Sequence, residues 1–209
     1  MIIKSAMFNV PMYKFKARNH KLIKEYFQDE LIANLPPKPN VDNLKLYSDY
    51  FGGIKSLDQS FYDLYQDDLK AFHIKAGFNT KVNWANKVHA WYNIGYEGHM
   101  QEEHDHIGGF PSTIFSAIHY VVFDKNEHTP TQFLNPLHSM FWGATQNTFF
   151  SKDLPHDWQN RTLVPDVEEG DLIFFPAFVR HSVPMQTSSM LRATVALNIN
   201  THEAPNNAV

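Results

Sequence analysis

The chain has 209 residues, a formal net charge of -4 and no cysteine. Without cysteine there can be no disulfide, no Cys-ligated zinc and no thiol nucleophile, so any metal must be bound by His, Asp or Glu. The small negative charge argues against a nucleic-acid partner, because a phosphate backbone is bound by a basic field.

Length and hydropathy define the kind of protein that the chain can form. With 43% hydrophobic residues, the chain can bury one substantial core, and we expect a single domain over residues 1–209. There is no run of eighteen apolar residues and no signal-peptide pattern, so we expect no membrane span and a cytoplasmic location. The sequence allows a homodimer.

The first 80 residues predict two helices that support the rest of the domain. Residues 7–15 are typical of a first strand, with Pro11 at an edge position or a bend. The spacing of apolar residues predicts amphipathic helices over 17–35 and 56–77, and Ser56 followed by Gln59 resembles a capping box. Residues 40–53 between the helices are predicted to be a loop.

From about residue 82 the chain changes to β-branched and aromatic runs that are separated by Gly, Pro, Asn and Asp. This texture is typical of an antiparallel β assembly, and it predicts a sandwich or jelly-roll barrel with helices on one outer face. The predicted strands are 87–96, 112–123, 131–134, 147–151, 161–165, 171–176, 178–185 and 191–199.

The stretch YEGHMQEEHDHIGGF, residues 96–110, carries the first indication of chemistry. In an extended segment His104 and His106 point to the same face and Asp105 to the other, so the two imidazoles can bind one metal. The best third ligand is His181, which lies between Val179 and Val183 on a later strand. Such a facial set leaves coordination positions open, as oxygen-activating iron sites require.

Arg192 stands in MLRATVALNI, a strand that is otherwise almost entirely apolar. An arginine is rarely buried without a partner, and its fork-shaped guanidinium suits a carboxylate. Thr194, two residues on, faces the same side. An inward Arg-x-Thr near a histidine cluster therefore predicts a site for a dicarboxylate, and the alternative is a structural ion pair of Arg192 with a protein carboxylate.

Other assignments of these residues stay open at this point. Asp105 could be a ligand if the strand is bulged, and Glu102 or Glu103 could enter from the preceding turn. Five other histidines are expected to be ordinary, namely His99, His119, His128, His138 and His156. The aromatic residues are expected to belong to the core, namely Trp91, Tyr92, Tyr120, Phe174 and Phe175, although Tyr92 and Tyr120 with Ser116 and Asn198 could line a cosubstrate pocket.

Six segments in this order resemble the Fe(II)/2-oxoglutarate-dependent oxygenases of bacteria and phages, within the prolyl-hydroxylase-like class. They are WYNIGYEG, HDH, SAIHYVV, QFLNP, EEGDLIFFPAFVRHSVP and LRATVALN, and they cover roughly residues 84–200. The resemblance implies a mainly β protein with flanking helices, whose core over 81–200 is a double-stranded β-helix of the jelly-roll, cupin-like type.

The same resemblance implies that His104, His106 and His181 bind Fe(II), and that Arg192 and Thr194 bind the far carboxylate of the cosubstrate 2-oxoglutarate. The implied reaction uses O2 to hydroxylate an unactivated C–H bond of an amino-acid or protein side chain, and it releases succinate and CO2. One departure is His106, because the wider class has Asp or Glu at that position, although the narrower family often has His-x-His.

Three alternative functions follow from other readings of the same residues. A cupin-type jelly roll that binds metal without 2-oxoglutarate chemistry would keep the histidines and have no use for Arg192. A zinc hydrolase would need Glu103 as its general base. A structural phage protein would need none of the three histidines.

Overall fold

The computed structural model describes residues 10–108, 113–136 and 160–204, and all statements of structure refer to these. They contain ten β-strands and three α-helices. The strands are β1 Tyr13–Lys16, β2 Leu46–Ser48, β3 Trp84–Gly95, β4 Gln101–His104, β5 Phe115–Val122, β6 Gln132–Leu134, β7 Thr162–Leu163, β8 Asp171–Pro176, β9 His181–Val183 and β10 Arg192–Glu203. The helices are α1 His20–Tyr26, α2 Gln59–Asp63 and α3 Gln66–Ala76.

The strands form two antiparallel sheets, and the chain folds as the jelly roll that the resemblance implied. The larger sheet has the order β1-β8-β5-β10-β3-β2, and the smaller has the order β4-β9-β6-β7. Residues of both sheets, among them Ile118 and Phe175 of the larger and Phe133 of the smaller, share one buried apolar cluster. The two sheets therefore face each other, and the space between them is the interior of the fold.

The larger sheet has two differently covered faces because its side chains alternate. In β8, Ile173 and Phe175 point into the space between the sheets. Leu172 and Phe174 point to the other face, where they join a larger apolar cluster with α3. The ring of Phe174 is stacked on Phe72 of α3 at 4.5 Å. The helices thus form an outer layer on the large sheet, as the sequence predicted.

The first predicted helix is shorter and less regular than the expected 17–35. Helix α1 ends at Tyr26 and continues as a π-helical turn over Phe27–Leu31 and a 3-10 turn over Ile32–Asn34. Ile23, Phe27 and Leu31, spaced by four residues, are all buried. Leu31 therefore stays on the core face with the other two through the π turn.

The prediction for the second helix was wrong in its start and in its continuity. The helix is divided into α2 and α3, and the N-cap of α2 is Asp58, whose carboxylate accepts the backbone N–H of Phe61 at 3.1 Å. Ser56 therefore is not the cap. Helix α3 ends at Gly77, which takes the left-handed conformation with φ of 81° that glycine allows at low cost.

The predicted loop over 40–53 contains a strand. Leu46, Tyr47 and Ser48 of β2 pair with β3 and are all buried. The predicted strand at 147–151 lies outside the described residues, as do His138 and His156. The strand expected at 178–185 is limited to the three residues of β9, and β4 was not predicted. None of the helices in the described ranges is long enough and apolar enough to span a bilayer.

Candidate metal centre and anion pocket

Three histidines converge between the two sheets. His104 is the last residue of β4 and lies directly opposite His181 of β9. His106 follows the end of β4, and its backbone N–H donates to the carbonyl of Ala177 at 3.0 Å. One ring nitrogen of each histidine lies within 4.8 Å of the corresponding atoms of the other two. Strand pairing therefore ends at His104, two residues before His106, and the predicted convergence of the three imidazoles is observed.

Backbone carbonyls fix the tautomers of two of these rings. His104 Nδ1 donates to the carbonyl of Glu102 at 2.8 Å, and His181 Nδ1 donates to that of Val179 at 3.0 Å. Because a carbonyl oxygen can only accept, each Nδ1 carries the proton and each Nε2 presents a lone pair to the centre. His106 Nε2 lies 3.3 Å from His181 Nε2. A cation placed there would be bound by ring nitrogens that already converge.

Burial keeps two of the imidazoles in the form that binds metal. Loss of solvation, with a smaller contribution from neighbouring histidines, lowers the pKa of His181 to about 3 and that of His106 to about 4. Both rings are therefore neutral near pH 7. Metal binding requires a neutral imidazole, so no proton has to be removed from these two rings first.

The nearby carboxylates are engaged elsewhere. Asp105 is exposed and accepts the backbone N–H of Ile107 at 3.0 Å. Glu103 forms an ion pair with Arg180 at 2.7 Å. Glu102 is exposed. Among the described residues no carboxylate joins the histidine group, so the candidate donor set consists of three nitrogens, with His106 and not Asp105 in the group.

Arg192 lies in the same cavity as the three histidines. Its side chain is 1% exposed, and among the described residues its Nε and Nη2 atoms have no hydrogen-bond partner. Within the described ranges it forms no ion pair with a carboxylate, so the structural ion pair considered above is not observed. Burial disfavours the guanidinium charge and lowers its pKa. The rings of Tyr120 and Phe123, at 5.7 and 6.0 Å, give it only weak compensation.

The ladder of β3, β10 and β5 arranges the floor of this cavity in rows, since directly opposed residues share a face. Arg192 is opposite Gly95, and the next row contains Thr194 with Asn93 and Tyr120. Trp91 lies one row further along β3, and its ring is 5.7 Å from that of His106. The floor therefore leads from the guanidinium of Arg192 to the three histidines, and Thr194 lines the same cavity as Arg192.

The alternation of side chains places the other predicted pocket residues on different faces of the large sheet. Tyr120 is on the cavity face against Arg192, and its hydroxyl accepts the backbone N–H of Thr131. Asn198 shares that face but lies beyond the histidine end, where it accepts a hydrogen bond from Ser116 at 3.0 Å. Tyr92 points to the helical layer and donates to the carbonyl of Lys55. The expectation for Tyr92 is thus corrected, because an even-numbered residue of β3 cannot face this cavity.

Several cavity residues were missed or assigned elsewhere. Trp91 and His99 had been assigned to the core and to ordinary histidines, and both line the cavity, as do Asn93, Gln101 and Thr131. For Trp91 and Asn93 a signal was present in the sequence, because they alternate in phase along β3. His99 and Gln101 gave no such signal, since the turn before β4 decides which way they point.

The fold and the candidate site together define a class: a jelly-roll protein with three converging histidines and a buried arginine in one cavity. A sequence model of the family described as "Putative 2OG-Fe(II) oxygenase" matches residues 89–198. The match covers more than half of the chain and contains all three histidines, Arg192 and Thr194. The protein belongs to this family, whose members are oxidoreductases that use Fe(II) and 2-oxoglutarate.

Solved structures show the same fold in related enzymes. The 2OG-Fe(II) oxygenase family oxidoreductase of Burkholderia pseudomallei is 13% identical, with a TM-score of 0.57 over 93% of this chain and 86% of that one. A prolyl-4-hydroxylase of Pseudomonas putida is 10% identical, with a TM-score of 0.56 over 91% and 92%. HygX of Streptomyces hygroscopicus with iron bound is 12% identical, with a TM-score of 0.55 over 91% and 82%. A search of curated protein sequences finds no match.

Proposed function

We propose that His104, His106 and His181 bind Fe(II), and that Arg192 and Thr194 bind the far carboxylate of 2-oxoglutarate. The observation that carries this proposal is the presence of two complementary groups in one cavity. Three ring nitrogens converge at one end, and at the other end Arg192 is a buried guanidinium whose Nε and Nη2 have no hydrogen-bond partner among the described residues. A dicarboxylate with a 2-keto group fits both at once, because one end chelates the metal and the other meets the guanidinium.

Charge explains why a three-histidine site suits this cosubstrate. Three neutral imidazoles leave the full double charge of Fe(II), whereas a carboxylate ligand would reduce it by one. Together with Arg192 the cavity would then hold three positive charges, which is costly in a buried site. The two negative charges of 2-oxoglutarate offset most of this, so the all-nitrogen site strengthens the requirement for a dianion.

The remaining residues of the cavity position groups and exclude water. Bound Fe(II), 2-oxoglutarate and O2 supply the oxidising power for hydroxylation of a C–H bond, with release of succinate and CO2. The carbonyls of Glu102 and Val179 hold two imidazoles in the orientation that binding needs. Phe133 and Phe175 pack beside His181, with ring centroids at 5.9 and 5.0 Å. These rings keep water away from one side of the centre.

We further propose that the substrate is an amino-acid or protein side chain with an unactivated C–H bond. The support is the name of one structural relative, the prolyl-4-hydroxylase of Pseudomonas putida, together with an aromatic mouth. The ring of Tyr50 lies 5.0 Å from that of Trp91, which in turn contacts His106. Tyr50 is half exposed, so an apolar side chain can reach the histidines along these rings.

The proposal is tested by anaerobic titration of the protein with Fe(II) and then 2-oxoglutarate. A chelated 2-keto acid gives a visible metal-to-ligand charge-transfer band, and His104→Ala should abolish it. Arg192→Ala should raise the 2-oxoglutarate concentration for half-saturation roughly 10- to 150-fold, because charge-assisted hydrogen bonds contribute about 1.5–3 kcal/mol. Arg18→Ala, which removes an exposed arginine, is the control. Metal binding without a band would favour the cupin-type alternative.

A further inference from the structure

His99 occupies the space beside Arg192 that a missing side chain leaves open. Gly95 lies directly opposite Arg192 in the ladder, so a side chain at residue 95 would point into the cavity. A Cβ atom added there would lie 2.4 Å from Cγ and 2.5 Å from Cβ of His99. The imidazole of His99 therefore rests on the bare backbone of Gly95, and glycine is required because the ring is there.

The backbone of His99 is held on two sides, and its ring is buried. The backbone N–H of His99 donates to the carbonyl of Tyr96 at 3.0 Å, and its carbonyl accepts the N–H of Gln186 at 2.8 Å. The residue is 1% exposed. Because the backbone is fixed and the ring is packed against Gly95, the imidazole has little space to move aside for a larger ligand.

The wall that His99 forms is polar and uncharged. Within the part of the chain that the structure describes, its Nδ1 has no hydrogen-bond partner, and neither has Oδ1 of the adjacent cavity residue Asn93. Burial first, and the positive charge of Arg192 second, lower the pKa of His99 to about 4, so the ring is neutral near pH 7. Arg192 thus remains the one positive charge at this end of the cavity among the described residues, and it matches one carboxylate.

We propose that His99 is the end wall of the cosubstrate pocket and selects the length of the dicarboxylate that binds between the histidines and Arg192. This inference rests on the proposed function. The reasoning is steric: the metal-binding end and the guanidinium fix the two ends of the ligand, and the ring fills the volume that an additional methylene would need. A close-packed interior tolerates such an addition poorly.

The first experiment compares two probes that differ by one methylene, 2-oxoglutarate and 2-oxoadipate. Their dissociation constants are measured anaerobically with Fe(II) from the charge-transfer band, and by calorimetry with Zn²⁺ in place of iron. The wild type should bind 2-oxoadipate at least about tenfold more weakly. His99→Ala should reduce this preference by about tenfold or reverse it, because the extra methylene then fills the vacated space. His73→Ala removes a buried histidine of α3, outside the cavity, and should leave the preference unchanged.

A second set of variants tests the contact between the imidazole of His99 and the backbone of Gly95. Gly95→Ala should push the imidazole towards Arg192 and weaken 2-oxoglutarate binding roughly tenfold or more. The double variant Gly95→Ala/His99→Ala should bind 2-oxoglutarate as His99→Ala does, because the added methyl group then meets no ring. This non-additivity identifies contact between the two positions and cannot arise from general loss of stability.

The outcomes separate the two proposals. If the wild type shows no charge-transfer band with 2-oxoglutarate, the proposed function fails. If the wild type binds 2-oxoglutarate but the preference over 2-oxoadipate is the same in His99→Ala, only the end wall is refuted. An additive effect of the two substitutions would also refute it.

Discussion

Two histidine clusters lie on opposite faces of the large sheet, and they differ in how their ring nitrogens are used. In the first cluster, His119 is fully buried, with Nδ1 at 2.8 Å from the hydroxyl of Tyr65 and Nε2 at 3.1 Å from Nδ1 of His20. The second cluster is His104, His106 and His181, where the nitrogens of three rings converge and only Nδ1 of two rings is bound by a carbonyl.

The comparison teaches that burial and a low pKa do not by themselves indicate a metal site. Burial lowers the pKa of His119 to about 3, as it does for His181. The clusters differ in what surrounds the ring nitrogens: both nitrogens of His119 contact Tyr65 and His20 on the helical side, so the ring links the helical layer to β5. In the second cluster three rings converge on one another, with His106 Nε2 3.3 Å from His181 Nε2, and a cation is the partner that could bind all three.

The largest effect is expected for His181→Ala. A structural zinc site with four ligands contributes ~10–16 kcal/mol, so loss of one ligand should weaken metal binding several hundred-fold. Fe(II) or Zn²⁺ titration followed by calorimetry measures this. If His181→Ala bound the metal with wild-type affinity, the second cluster would no longer differ from the first as a metal site.

The pH dependence of stability should involve both clusters. The native pKa values of His119 and His181 lie below the unfolded value of about 6.5. The unfolded chain therefore binds more protons between pH 6.5 and 4, and the free energy of unfolding should fall as pH falls through this window, by about 3 kcal/mol for each group. Denaturant titrations of the metal-free protein at pH 7 and pH 4.5 test this.

A smaller effect is expected for His119→Leu, which keeps apolar volume and removes both hydrogen bonds. The buried hydroxyl of Tyr65 then loses its partner, so unfolding should become easier by about 2 kcal/mol. Metal affinity should be unchanged, because His119 faces away from the cavity. Chemical denaturation and the same metal titration give the two numbers. A loss of metal affinity would show that the two faces of the sheet are coupled.

The smallest effect is expected for Glu103→Gln. Its ion pair with Arg180, which is 57% exposed, should contribute under about 1 kcal/mol to stability. Metal affinity should stay within about threefold of wild type, as measured by titration, because Glu103 is outside the histidine group. A large loss of metal affinity would indicate that Glu103 acts as a metal ligand or as a general base.

Sequence reasoning placed residues correctly where their chemistry and the alternation of side chains along a strand indicate the same face. Thr194 and Arg192 share a face because they are two residues apart on a regular strand, and both line the cavity. The resemblance also located all three histidines. Reasoning failed where a turn decides direction: His99 looked ordinary because its importance depends on the bare backbone of Gly95, which no local pattern reveals.

The predicted helix boundaries were wrong for a different reason. The apolar spacing of residues 22–32 fits a regular helix and also fits the π turn that is observed, and tertiary packing of Leu31 decides between them. Tyr92 was misassigned because an aromatic residue in a strand near the motif suits either face. The phase of β3, set by Trp91 and Asn93, would have excluded it.

The two outermost strands of the large sheet have a consequence for aggregation and folding. Both come from the first 48 residues: β1 has four residues with Lys14 and Lys16, and β2 has three. Short, charged edges resist pairing with other molecules. If residues 1–48 were removed, the long aromatic β3 and the apolar β8 would instead become the open edges of the sheet. Since Tyr13 pairs with Phe174 and the last strand, β10, lies between β5 and β3, the large sheet and its protected edges form only when nearly the whole described chain has been synthesised.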